Sequence, residues 1–309
     1  MLKTRVLAVV VTCAIVALSC PVRADGDLQG ITAVSSKVAP DYIRKKLSNG
    51  SFAPEYYSFA PGGNWGGQLS DLTIDRLTFL DVAHVIAVPL AERKYLPARD
   101  PKTTRLLVMV YWGTTAVPSP LSDTPAYGEF SAAQAYLHRF TLPSVTGRQV
   151  IAGGPEANAA MDQMSSATAL LNIENRGRES MDFANALMLG YDSPGLIGTE
   201  EGIYTKGTAR GYERDELYAE IEDNRYFVVL MAYDFQLLWK QKKHKLLWET
   251  RFSITERNNQ FDKALPAMAE YASQFFGQPS HGLVRDHIKE GQVEVGAPSL
   301  IEFVAEPKK

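Results

Sequence analysis

Tyr226-Phe227-Val228-Val229-Leu230-Met231-Ala232-Tyr233-Asp234-Phe235-Gln236-Leu237-Leu238-Trp239 is followed, six residues on, by Leu246-Leu247-Trp248-Glu249-Thr250-Arg251-Phe252-Ser253-Ile254-Thr255. The first run is apolar on both faces as far as Tyr233, which predicts a strand buried on both sides. From there to Trp239 one face turns polar at Asp234 and Gln236, while Phe235, Leu237 and Trp239 keep the other apolar. The second run alternates with a period of two, the signature of a half-buried strand. Between the runs stand Lys240, Gln241, Lys242, Lys243, His244 and Lys245. These are side chains that stay in water, so they mark the tip of a hairpin. The reading is a central hairpin over 226–255 in an α/β fold: a mixed or antiparallel sheet covered by helices.

On the C-terminal side, Phe261, Leu265, Met268, Ala272 and Phe275 fall at helical spacing, with Gly277 placed to stop the helix. The stripe is expected to pack on the hairpin, and Phe275→Ala then costs roughly 3–5 kcal/mol. Pro266 requires the helix to begin shortly before it. Gln292-Val293-Glu294-Val295 reads as an edge strand.

On the N-terminal side, Leu106 to Gly113 is a short continuous apolar run and predicts a second buried strand. Phe79, Val82, Ala83, Ile86 and Leu90 predict a helix within 75–95, capped by Asp75 or Thr78 and bent or bounded at Pro89. Pro40 to Leu47 reads as a short helix, Tyr56 to Ala60 as a strand, and Pro61 to Gly67 as a glycine-rich turn with Trp65 over an edge. Residues 114–220 read as an irregular or helical insertion. Within it Ser131–Phe140, Ala157–Leu189 and Glu213–Ile221 are helical, the second with a break at Asn175-Arg176-Gly177-Arg178.

Lys3 and Arg5, then the apolar run Val6 to Leu18, then Pro21 and Val22-Arg23-Ala24, form the pattern of a secretory signal peptide. Cleavage is expected between Ala24 and Asp25, leaving one exported domain over 25–309. The apolar run is shorter than the ~20 residues of a spanning helix, which disfavours an uncleaved anchor. Ala17-Leu18-Ser19-Cys20 offers the alternative of a lipidated Cys20, although Leu18 stands two places before the cysteine where lipoproteins prefer three. The chain's two cysteines, Cys13 and Cys20, both lie in the signal, so the mature chain has no disulfide and no thiolate.

Loss of Lys3, Arg5 and Arg23 takes the net charge from −3 to −6. That argues against nucleic acid as a partner and against electrostatic attachment to anionic lipid. Membrane contact is expected only through a lipidated Cys20.

Chemistry-bearing motifs are few. There is no Gly-x-Ser-x-Gly, His-Glu-x-x-His, Cys-x-x-Cys or calcium loop. His281 and His287, with Asp286, come nearest to a metal cluster but fall short of four ligands. No catalytic residue, metal or cofactor is assigned. The binding candidates are Trp65, Tyr111 and Trp112, as aromatics at strand ends, and Asp234, whose carboxyl would rise if buried.

Phe227-Val228-Val229-Leu230 leading to Leu246-Leu247-Trp248-Glu249, then a helix ending Phe275-Phe276-Gly277, resembles the C-terminal half of small bacterial envelope proteins of unknown function, many of them lipoproteins. The resemblance implies an envelope or periplasmic location with envelope proteins as partners, and carries no catalytic residues across. The expected function is a non-enzymatic binding or assembly module. The alternative is a hydrolase built on aspartate and glutamate, which needs no sequence signature but does need two acids converging in a cleft.

Overall fold

The computed structural model describes residues 31–65, 70–142, 150–191 and 216–287. Nine strands are described: β1 (Ile31–Val38), β2 (Glu55–Trp65), β3 (Tyr95–Pro97), β4 (Leu106–Thr114), β5 (Thr141–Leu142), β6 (Val150–Ile151), β7 (Arg225–Asp234), β8 (Leu246–Thr255) and β9 (Leu283–His287). Seven of them form one sheet in the order β3-β2-β4-β7-β8-β1-β9. β2 runs parallel to both β3 and β4, and every other pair is antiparallel. The fold is therefore α/β with a mixed sheet, and the ribbon β7–β8 lies in its middle.

The helices are α1 (Leu72–Asp75), α2 (Phe79–Glu92), α3 (Pro125–His138), α4 (Pro155–Leu189), α5 (residues 216–221), α6 (Phe235–Gln241) and α7 (Phe261–Ser273). Thr78 starts α2 with a reciprocal cap, its side chain accepting from Asp81 N while Asp81 accepts from Thr78 N. Pro89 sits in the last turn, so the helix stops at Glu92 instead of kinking. α1, α2 and α7 cover one sheet face. There Val82, Ile86, Leu90, Leu265 and Met268 meet Val108, Val110, Val228, Leu230, Trp248 and Phe252 in the main core. Among the described residues no helix is long and apolar enough to cross a membrane.

Five expectations need correction. The strand from Tyr226 ends at Asp234, not Trp239. The Asp234 carboxylate accepts from Leu237 N at 2.9 Å and starts α6, so the apolar spacing of Phe235, Leu238 and Trp239 belongs to a helix. Residues 40–47 form no helix; their backbone is irregular, and Lys46 bridges to Phe52. The glycine-rich turn is a continuation of β2 to Trp65, with a register shift between Pro61 and Gly63. No break occurs at 175–178, since α4 runs unbroken for 35 residues. Finally, β4 alternates buried with half-buried side chains along Leu106–Tyr111, whereas β7 is buried on both faces from Arg225 to Leu230 and turns half-buried on one face only at Met231 and Tyr233.

β1 and β9 were not expected at all. β1 buries Ser36 by bonding it: Ser36 Oγ lies 2.8 Å from Thr250 Oγ1 and donates to Phe275 O at 2.9 Å, tying β1 to β8 and to the chain leaving α7. The edge strand anticipated at 292–295 and the signal region 1–24 lie outside the described residues. Segment 114–220 is mainly helical where described. α3 packs on the first part of α4, with the short ribbon β5–β6 at the turn between them.

Candidate functional site

The second face of the sheet is covered over only part of its width. On the β1–β8 side, Leu189 and Tyr191 at the end of α4, with Leu217 and Ile221 of α5, bury Ala33, Phe227 and Val229. Gly190 takes a positive φ of 81° there. Arg251 Nη1 donates to Leu187 O at 2.7 Å and Met188 O at 3.2 Å, closing the carbonyl end of α4. Tyr111 of β4 and Met231 of β7 pack against the margin of this cluster, and exposure rises from there towards β2, where Tyr56 is 43 % exposed.

The partly open half has an ordered floor. Met109 stands opposite Met231, Leu107 opposite Tyr233, and Tyr111 opposite Val229. All but Val229 are half-buried. Tyr111 OH points to Met109 Sδ at 3.8 Å and Tyr233 OH to Met231 Sδ at 3.7 Å, so the two strands repeat one tyrosine-over-methionine arrangement. The Tyr111 ring lies flat against β2 at Gly62, where a Cβ would come 2.6 Å from the ring. Tyr56, 43 % exposed, continues the floor towards the β3 edge.

The nearest charges, Glu249 and Arg251, pair with each other at 3.3 Å. Burial pushes the Tyr233 hydroxyl upward, with Tyr111 and Glu249 adding to it, so it stays protonated and neutral. The patch is therefore apolar, uncharged and adaptable. Its chemistry is contact, not proton transfer.

Of the four sequence candidates, only Tyr111 belongs to this floor. Trp65 is 52 % exposed at the end of β2, paired with Gly113. Trp112 faces the opposite way, buried in the main core with its Nε1 lacking a hydrogen-bond partner. Asp234 is a helix cap. Met109, Met231, Tyr233 and Tyr56 were missed. The available signal was a tyrosine and a methionine two residues apart on each of two strands, masked by the reading of both as fully buried. Ala24, Asp25 and Cys20 lie outside the described residues.

The carboxylates do not form a free acid pair at Asp234. Elsewhere, Glu256 is pushed upward by burial and by Asp71 and Asp223. Asp71 is held below its ordinary value: burial opposes ionisation, but hydrogen bonds from Tyr226 and Thr73 outweigh it. Both Asp71 oxygens are occupied, Oδ1 by Thr73 N at 2.8 Å and Oδ2 by the Tyr226 hydroxyl, which gives this carboxylate a capping role at α1. Among the described residues no group of three or more His, Cys, Asp or Glu could hold a metal ion.

These features define the chain as an α/β protein whose mixed seven-stranded sheet is sealed on one face and partly open on the other. No family model and no curated protein matches it. Among solved structures, a PDZ domain protein from Parabacteroides distasonis is similar over 84% of this chain and 40% of that one, at 9% identity and a TM-score of 0.36. This chain thus spans two fifths of that protein's length, and a likeness of this size carries no argument about fold or partner.

Proposed function

We propose that the chain is an exported envelope or periplasmic protein acting as a non-enzymatic binding module, docking a protein partner on the partly open half of the sheet. The observation that carries this is the row of Met109, Tyr111, Met231 and Tyr233, half-buried where the other sheet face is fully buried, running out to the exposed Tyr56. Exposed apolar patches of this kind mark interaction surfaces. Tyrosine and methionine suit protein interfaces, because they bury large area and adapt their shape. Glu249 and Arg251, beside the patch, pair with each other, which favours an apolar protein surface over a charged polymer.

The test places a photo-crosslinking residue at Tyr56 in the native cell, with a control at Val88, 61 % exposed on α2. A discrete product from Tyr56, absent from Val88 and lost on adding Met231→Lys, is expected. Identical products from both positions, or none from Tyr56 in folded protein, overturn the docking assignment. Export is tested separately by the intact mass of the mature chain. A start at Asp25 supports signal cleavage there, a diacylated Cys20 supports the lipid-anchored alternative, and an intact Met1 in the cytoplasm overturns export.

A further inference from the structure

Where α2 and α7 both end lies a half-open cavity of about 210 Å³ lined by Arg44, Phe52, Arg93, Lys94, Phe276 and Gln278, among others. Arg44 is the anomaly. It is only 6 % exposed, yet it is a full positive charge. Its guanidinium lies between two rings, 4.2 Å from the Phe52 centroid and 4.1 Å from that of Tyr95. Nη2 donates to Arg93 O at 2.7 Å, and Nε is buried with no acceptor.

The ring faces and the helix-end carbonyl recover part of the cost of burying that charge. They do not supply a counterion. No described carboxylate lies within ion-pair distance of Arg44, Arg93 or Lys94. Glu92 is the one acid among the lining residues, and Glu270 lies beside it and Arg93, its carboxyl pushed upward by burial first and by Glu92 next.

Three cations, Arg44, Arg93 and Lys94, line the cavity, and of these only Arg44 is buried. Buried charge without a partner is costly, and a buried unsatisfied donor is the usual sign of a missing ion or water. The volume exceeds a single water's share of about 30 Å³, and the Phe52 and Phe276 rings offer an apolar wall beside the cations.

We propose that this cavity binds a small oxyanion, a carboxylate or phosphate group on a compact organic molecule, with Arg44, Arg93 and Lys94 as its cationic wall. The site is separate from the partly open sheet face and does not depend on the docking assignment.

The test titrates the folded mature chain with inorganic phosphate and, separately, with succinate. Ionic strength is held constant with sodium chloride, and amide shifts of residues 92–94 are followed by NMR. Saturable shifts from either anion are expected, and which one saturates identifies the preferred headgroup. Arg93→Gln with Lys94→Gln changes two exposed side chains and is expected to weaken binding at least about tenfold, as for loss of charge-assisted hydrogen bonds. If the pair loses its melting transition, Lys94→Gln alone carries the comparison, with a smaller loss expected. Absence of saturation with both anions, equal shifts from chloride, or unchanged affinity in the variants overturns the proposal.

Discussion

The Trp248 indole lies stacked on the Phe276 ring, centroids 6.0 Å apart and planes 17° from parallel. This contact joins the second strand of the central ribbon to the chain just past α7. Both residues are buried, and Tyr95 leans on Trp248 from the far side at 5.7 Å. Phe276→Ala is therefore expected to cost roughly 3–5 kcal/mol, the range for a large aromatic lost from a core. Phe275, half-buried at the core margin, should cost less than half of that. Urea unfolding of the two variants gives the comparison; equal losses would contradict the assignment of Phe276 as the anchor.

Two glycines of α4 should respond in opposite directions. Gly190 has φ 81°, and a Cβ there would lie 2.6 Å from Ser35 Cβ, so Gly190→Ala strains the backbone and pushes α4 off β1. A loss above about 1 kcal/mol is expected. Gly177 lies within the helix with open space around it. Gly177→Ala should stabilise by about 1 kcal/mol, the helix-propensity difference. Thermal melts of both variants test the continuity of α4 through the expected break.

Acid and alkaline behaviour should separate Asp71 from Glu256. Asp71 is lowered in the fold, so its stabilising contribution is present above the unfolded value of ~3.9 and is lost as pH falls. Asn still caps a helix, so Asp71→Asn isolates the charge. It should be less stable than the parent at pH 7, the gap closing in acid. Glu256 is raised, so ionising it opposes folding as pH climbs past the ordinary glutamate value. Glu256→Gln should be more stable than the parent at pH 7 and equal to it below about pH 4. Stability against pH for the two variants checks both signs.

Arg225 is buried, with Nη1 3.8 Å from Glu220 Oε2 and Nε donating to Ser253 Oγ at 3.2 Å. Glu220 also accepts from the Tyr191 hydroxyl at 2.6 Å and from Arg285 Nη1 at 3.0 Å. Glu220→Ala removes the carboxylate facing the buried Arg225 guanidinium and the acceptor of Tyr191 and Arg285, and should cost roughly 3–5 kcal/mol. Arg225→Met with Glu220→Leu removes both charges and should recover much of that loss. A double variant no better than the single one would show that the remaining bonds, not charge compensation, hold α5 in place.

The ribbon and its neighbours were legible because their apolar residues recur with the right period. The pattern of Leu246 to Thr255 placed β8, and Leu106 to Gly113 placed β4 one residue short of its end. β1 was not legible, because Ser36 is buried by hydrogen bonds that exist only once β8 and the end of α7 arrive. The same holds for the candidate site. Tyr111 was found as an aromatic near a strand end, whereas Trp112, beside it in sequence, points to the sealed face.

Local periodicity and composition determined the α/β class, the central ribbon, the main helices and the expectation of an exported, thiol-free chain. These are properties of neighbours along the chain, so the chain alone carries them. Which sheet face is sealed, which tyrosines and methionines stay half-buried, and how Arg44 comes to lie between the Phe52 and Tyr95 rings depend on segments far apart in sequence. Strand order and helix placement fix those contacts, and no pattern of period two or 3.6 encodes either one.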